Sequence, residues 1–95
     1  MLRESEFAEF LRKEQTIRSE KAVASRMSKA RKASEILGRN LDEVTADDDL
    51  MYDSLLILKD CEPTSHAPYQ NALRKYYKMC RGREFPQLRN YGRLK

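Results

Sequence analysis

The sequence predicts an all-α fold with four principal helices. Composition is the first reason, because Ala, Leu, Lys, Arg and Glu are abundant while the 95 residues include only three Gly and three Pro. Apolar residues also recur at helical spacing in several stretches, and several of these stretches are bounded by residues typical of helix ends. A chain of this length is expected to form one domain with an adequate core.

Two helices are predicted in the first half of the chain. The first covers about Glu4 to Lys13, with its apolar side at Phe7, Phe10 and Leu11. The second runs from about Glu20 to Leu37, behind Ser19 as the expected N-cap. Gly38 follows its last turn, where the left-handed conformation favours glycine. The apolar stripe of the second helix consists of Val23, Met27, Ala30, Ala33 and Leu37.

The connector that follows contains apolar residues and a helix-start signal. Leu41 and Val44 are expected to pack into the core. Thr45 followed by Asp48 resembles a capping box, which predicts a third helix running to about Lys59. Apolar residues also occur off the main stripe of this helix, namely Tyr52, Leu56 and Ile57.

A fourth long helix is predicted after the break that Pro63 marks. It begins near Ser65 or His66 and ends at Gly82. Its apolar face, expected to lie in the core, contains Tyr69, Leu73, Tyr76, Tyr77 and Cys80. Residues 1–86 are predicted to form the domain, and residues 87–95 a basic C-terminal tail that frays or leads into a linker.

Composition also narrows the class and location of the protein. Cys61 and Cys80 are too few for a disulfide framework and match no metal spacing, so reduced thiols in a cytoplasmic protein are expected. There is no apolar run long enough to cross a bilayer, and residues 1–18 mix charges in a way unlike a signal peptide. We therefore expect no membrane association.

The net charge of +4 is distributed unevenly along the chain. Residues 1–18 are neutral and residues 19–38 carry +3, whereas residues 39–63 carry −6 and residues 64–95 carry +7. Two basic segments thus flank an acidic one. Such polarity can steer an anionic partner to one side of a protein.

The sequence offers no convergent set of groups for catalysis. His66 is the only histidine, and one histidine supplies neither a ligand set nor a base with an orienting partner. The run from Asp47 to Asp49 lacks the spacing of a calcium loop and is explained by helix capping. We therefore predict a protein that is not an enzyme, with no cofactor, metal or small-molecule substrate.

Two predicted helices instead carry a basic face opposite their apolar stripe. The candidate DNA-binding residues on these faces are Lys21, Ser25, Lys29 and Lys32 on the second helix, and Asn71, Arg74, Lys75 and Lys78 on the fourth. Lys and Arg pair with phosphates, and Asn can bond to a base edge. Charged helix faces are most often simply solvated, but here two of them occur with the acidic residues segregated between. Double-stranded DNA is the predicted partner.

Four segments of the chain together carry a family resemblance. They read FAEFL from Phe7, SEKAVASRMSKARKASEILG from Ser19, LDEVTADDDLMYDSLL from Leu41 and YQNALRKYYKMCRGREFP from Tyr69. In this order they resemble the N-terminal core-binding domain of tyrosine recombinases and phage integrases. The resemblance implies a compact SAM-like bundle of four to five helices. The resemblance covers about residues 7–86, and its strongest part is NALRKYY.

The resemblance implies DNA binding in DNA integration and recombination. In that family the domain forms half of a clamp on the duplex through its second and last helices, and a separate C-terminal domain holds the catalytic residues. No Arg-His-Arg-Tyr set can be assigned here, so Tyr91 is not expected to be a nucleophile. The implied partners are such a catalytic domain, in a parent recombinase, and further copies of the chain. The acidic start of the third helix and the loop EPTSHAPY depart from the family pattern.

A protein–protein interaction or dimerisation module is the alternative function. Tyr52, Leu56 and Ile57 lie off the apolar stripe of the third predicted helix, where they would form an exposed patch. A partner bound there would depend little on salt.

Overall fold

The computed structural model describes residues 3–14, 19–61, 66–88 and 91, and this part of the chain contains five α-helices and no strand. The helices are α1 (Glu4–Lys13), α2 (Glu20–Leu37), α3 (Leu41–Thr45), α4 (Asp48–Cys61) and α5 (His66–Arg81). The predicted all-α bundle is therefore confirmed. None of the helices in the described segments is long and apolar enough to cross a membrane.

Both ends of α2 lie where the sequence predicts them. The Ser19 hydroxyl accepts a hydrogen bond of 3.1 Å from the Ala22 N–H at the N-terminus. Gly38 has φ +65°, and its N–H donates to the carbonyls of Ser34 and Glu35. A side chain at position 38 would meet no neighbour, so the left-handed backbone is what favours glycine there.

The connector predicted between the second and third helices contains a helix of its own, α3. The Asn40 side chain begins it by accepting a 2.9 Å hydrogen bond from the Asp42 N–H. Leu41 and Val44 are fully buried, as predicted. The short helix turns the chain between the two long elements while keeping both apolar side chains in the core.

The predicted capping box is wrong because α3 extends through Thr45. The Thr45 hydroxyl donates to the Leu41 carbonyl at 2.8 Å and so belongs to the preceding helix. Asp47 caps α4 instead, accepting hydrogen bonds from the N–H groups of Asp49 (2.8 Å) and Leu50 (3.1 Å). The start of α4 is within the predicted region, but a different side chain defines it.

The core lies where α5 meets the other helices. Tyr76 and Tyr77 are fully buried, as predicted, and their hydroxyls donate to the carboxylates of Asp42 (2.6 Å) and Asp48 (2.7 Å). Tyr69 is only partly buried. The remaining fully buried apolar side chains with the largest volumes are Phe7, Leu11, Leu41, Val44, Met51, Leu55, Leu58 and Leu73.

The predicted frayed tail is wrong for Leu88 and Tyr91. Tyr91 is only 9% exposed, and its ring makes edge contacts with those of Tyr52 and Phe85 at centroid distances of 5.1 and 5.2 Å. Its hydroxyl donates to Asp49 at 2.6 Å. Leu88 packs partly buried against the same core. These residues are buried because they pack on aromatic surface that α4 and Phe85 supply, although the segment is polar and basic overall. The domain boundary at residue 86 stays a prediction.

Asp48 links the first turn of α4 to the end of α5. Its carboxylate accepts hydrogen bonds from the Tyr77 hydroxyl and from the Arg83 guanidinium (3.1 Å), and Arg81 lies 3.6 Å away. The pKa of Asp48 is lowered, mainly by the hydrogen bond from Tyr77 and further by the hydrogen bond and charge of Arg83 and the charge of Arg81. Burial opposes this shift.

Replacing Asp48 by asparagine is therefore expected to flatten the acid dependence of stability. A carboxylate whose folded-state pKa lies below its unfolded value stabilises the fold above the unfolded pKa, near 4, and this contribution is lost as pH falls through the folded pKa. Urea unfolding at pH 6, 4.5 and 3 should show the stability difference between wild type and Asp48→Asn shrinking with acid. Asp53→Asn, with the same charge change on the exposed side of α4, is the control. A difference that stays constant with pH would contradict the prediction.

Candidate nucleic-acid interface

The two helices predicted to bind DNA pack against each other and leave a groove on their exposed side. It consists of two adjoining hollows with volumes of about 610 and 370 Å³. Arg26 of α2 and Asn71 of α5 line both hollows, which makes the surface continuous. This surface is called the α2–α5 groove. Its polar and charged lining consists of Ser25, Arg26, Lys29, Asn71, Arg74, Lys75, Lys78, Glu84 and Gln87.

Six of the eight predicted binding residues line the α2–α5 groove. They are Ser25, Lys29, Asn71, Arg74, Lys75 and Lys78. Lys21 and Lys32 are exposed on α2 but lie outside the groove lining, and Lys32 is 3.8 Å from the Glu35 carboxylate. The structure thus brings most of the two predicted faces together on one side. A DNA contact by any of these eight residues stays a prediction.

Arg26 is the groove residue that the sequence prediction missed. It is partly buried, and it lies beside both hollows at the centre of the groove. At 100° per residue it stands about 60° from Val23, between the directions of Ala33 and Leu37 and so within the angular range of the apolar stripe. A residue in this direction faces the other helices of the bundle, so a charged side chain within the apolar stripe was the available signal.

Arg74 supports the wall of the groove. Its Nη1 donates to the carbonyl oxygens of Phe85 (2.9 Å) and Pro86 (3.2 Å), and its guanidinium carbon is 5.8 Å from the centroid of the Phe85 ring. Burial lowers the pKa of Arg74, opposed by the charge of Glu84, but an arginine remains protonated at any physiological pH. These contacts fix the segment that follows α5, and a direct contact of Arg74 with DNA stays a prediction.

Lys75 and Lys78 share an acidic partner from another helix. Glu14, directly after α1, places one carboxylate oxygen 3.1 Å from the Lys75 ammonium and 3.5 Å from that of Lys78. Glu84 lies 3.7 Å from Lys78. Burial raises the pKa of Glu14, but the hydrogen bonds and charges of the two lysines outweigh it and hold that pKa below its ordinary value. The two lysines are therefore charge-compensated in this state.

The remaining donors of the groove are more available. Lys29 is partly buried, with its ammonium 5.1 Å from the centroid of the Tyr69 ring, an attraction that leaves its N–H groups open to an anion. Asn71 is exposed. Within the described residues, Arg26 and Asn71 have no hydrogen-bond or ion-pair partner, so they can donate to a ligand without breaking an existing contact.

The cysteines lie away from the groove. Cys61 is exposed at the end of α4. The Cys80 thiol is partly buried, 3.2 Å from the Arg3 guanidinium, and burial is the main reason that its pKa is raised. In the described segments no three His, Cys, Asp or Glu side chains come together as a metal site. The side chain of His66 lies outside the described residues.

The fold and the groove define a small all-α protein with a basic surface between two packed helices. Comparison of the chain with protein-family models, with curated proteins and with solved structures finds no match. Membership of the tyrosine recombinase family stays a prediction from the sequence resemblance.

Proposed function

We propose that the chain is a non-catalytic DNA-binding domain of an integrase-type recombinase and that it grips duplex DNA through the α2–α5 groove. The observation that supports this proposal is the continuity of the groove, in which cations of α2 and α5 line adjoining hollows around Arg26 and Asn71. A phosphate backbone is the anion that such an extended row of cations suits, because successive phosphates can each meet one of them.

The donors of the groove suit phosphate contacts more than sequence readout. Arg26, Lys29 and the lysines of α5 are charged, and charge-neutralising contacts supply most of the affinity of non-specific DNA binding. Asn71 is the exposed side-chain amide that α5 contributes to the groove, and an asparagine can bond to the edge of adenine. Binding is thus expected to be weak, salt-sensitive and only slightly selective.

The acidic side of the molecule supports a single binding orientation. Asp47, Asp53 and Asp60 are exposed at the start and along the outside of α4, and none of them lines the groove. Their repulsion of phosphate disfavours binding through α4 and leaves the α2–α5 side as the favoured approach.

Fluorescence anisotropy of a labelled random-sequence duplex of about 25 base pairs tests the proposal. We expect micromolar binding at low salt, and a plot of log K against log salt with a slope of about −3 to −4 if three or four phosphates are neutralised. Absence of binding at the lowest salt, or affinity that does not change with salt, would contradict a phosphate-contacting groove.

One observation favours a protein–protein interaction module as a second candidate. Ile57 on α4 is 45% exposed and is the one large apolar side chain that is exposed in the described part of the chain. Leu56 beside it is partly buried, while Tyr52 packs against Tyr91 and so belongs to the aromatic cluster at the end of the domain. The patch is thus smaller than the sequence predicted. Salt-insensitive self-association, with no duplex binding in the anisotropy titration, would favour this candidate.

A further inference from the structure

The Glu14 carboxylate lies beside two lysine ammonium groups, in an arrangement that would also suit a phosphate. One carboxylate oxygen accepts a 3.1 Å hydrogen bond from the Lys75 ammonium and lies 3.5 Å from that of Lys78, which follows one helical turn later on α5. The three side chains are 18%, 24% and 34% exposed in the order Glu14, Lys75 and Lys78, so the cluster is shielded but reachable from solvent. The lysines also line the groove, whereas Glu14 does not.

We propose that Lys75 and Lys78 form a phosphate subsite of the α2–α5 groove and that Glu14 occupies this subsite when no ligand is bound. A DNA phosphate would then take the place of the Glu14 carboxylate between the two ammonium groups. This inference rests on the proposed function and adds to it the position of one phosphate and the residue that competes for it.

The backbone at Glu14 allows the carboxylate to leave without unfolding a helix. Glu14 is the residue after α1, with extended backbone angles of φ −70° and ψ 130°, and its N–H still bonds to the Leu11 carbonyl. Among the described residues its carboxylate is paired with the two lysines alone. Rotation of this one side chain therefore opens the subsite while α1 and α5 stay in place.

The exchange predicts a distinctive electrostatic effect. A carboxylate and a phosphodiester each carry one negative charge, so wild-type DNA binding replaces one anion by another between the same two lysines. The displaced Glu14 then remains close to the phosphate, repels it, and takes up a cation from solution. That uptake offsets part of the counterion release that drives DNA binding. Removing the charge of Glu14 removes both effects.

Glu14→Gln is the variant that tests the subsite. We expect it to bind the 25-base-pair duplex roughly three- to tenfold more tightly than wild type, the size expected for removing one charge several ångströms from a phosphate. The slope of log K against log salt should become steeper by about one. Glu9→Gln is the matched control on α1, because it makes the same change in net charge. Arg12, the ion-pair partner of Glu9, remains paired with Glu20 at 2.9 Å.

A cycle of variants separates the subsite from a general charge effect. The gain from Glu14→Gln should disappear when Lys75 and Lys78 are both replaced by glutamine. Urea unfolding and circular dichroism show whether each variant is folded, and Glu14→Ser replaces Glu14→Gln if the latter is not.

The outcomes distinguish the two proposals. Tighter binding by Glu14→Gln but not by Glu9→Gln supports the subsite. If wild type binds the duplex and Glu14→Gln binds it equally or more weakly, the subsite is overturned while the proposed function stands. If wild type and Glu14→Gln both fail to bind at low salt, the proposed function is overturned together with the subsite.

Discussion

Replacing Tyr76 by alanine is expected to lower the free energy of unfolding by about 3–5 kcal/mol, as is typical of deleting a large buried aromatic ring. Tyr76 is fully buried, and its ring meets that of Phe7 edge to face at a centroid distance of 5.1 Å. The change therefore removes the main aromatic contact between α1 and α5. Because a domain of this size has a total stability of about 5–15 kcal/mol, the variant should be close to unfolding.

The Tyr76 hydroxyl adds a separate and smaller contribution. It donates a 2.6 Å hydrogen bond to Asp42. Burial and this carboxylate raise the pKa of Tyr76, so the hydroxyl keeps its proton across the physiological range. Tyr76→Phe, which keeps the ring and removes the donor, is expected to cost about 1–2 kcal/mol. The difference between the two variants isolates the packing of the ring.

Urea unfolding followed by circular dichroism measures both effects. Tyr69→Ala is the control on the same helix, since Tyr69 is only partly buried and should lose less than half as much stability. By thermal unfolding, the loss in Tyr76→Ala corresponds to a drop of roughly 12 °C or more. A loss in Tyr76→Ala no larger than that in Tyr69→Ala would contradict the packing of α1 on α5.

The ends of α2 could be predicted from the sequence because they depend on neighbouring residues. Ser19 reaches an N–H only three residues away, and Gly38 adopts a backbone angle that its own lack of a side chain favours. The start of α4 depends equally on local contacts, but two residues competed for the role. The Thr45 hydroxyl bonds within α3, and the Asp47 side chain is the N-cap of α4.

The burial of Tyr91 could not be predicted from its own surroundings. The residues around it are polar and basic, and what holds it is an aromatic cluster formed with Tyr52, 39 positions earlier in the chain, and Phe85. A local pattern reports the side chains next to a residue, whereas burial depends on surface that distant elements supply.

The candidate site could be predicted only in part, because a local pattern again does not report contacts between distant elements. Helical periodicity separates a basic face from an apolar stripe, so Lys29 and Lys75 could be assigned to basic faces. Periodicity does not report how two helices pack, so it missed Arg26, a charged residue within the angular range of the apolar stripe of α2. Nor does it report the pairing of Glu14 with Lys75 across 61 positions of sequence.

The largest effect on binding is expected from reversing the two cations that α2 contributes to the groove. The double variant Arg26→Glu/Lys29→Glu should weaken duplex binding by about thirtyfold or more at low salt, which corresponds to roughly 2 kcal/mol. Both residues line the groove, and neither forms an ion pair with a described residue. Reversal therefore replaces phosphate attraction by repulsion at the centre of the proposed interface.

A second double variant on the same helix distinguishes the groove from the whole basic face of α2. Lys21→Glu/Lys32→Glu makes the same change in net charge outside the groove lining. We expect it to weaken binding several-fold less, since it shares only the long-range effect of net charge. The neutral variant Arg26→Gln/Lys29→Gln, checked by urea unfolding, separates lost attraction from any loss of stability at the partly buried Arg26. Equal losses of affinity in the two charge-reversal variants would show that the face of α2 as a whole attracts DNA. That result would contradict the groove as the interface.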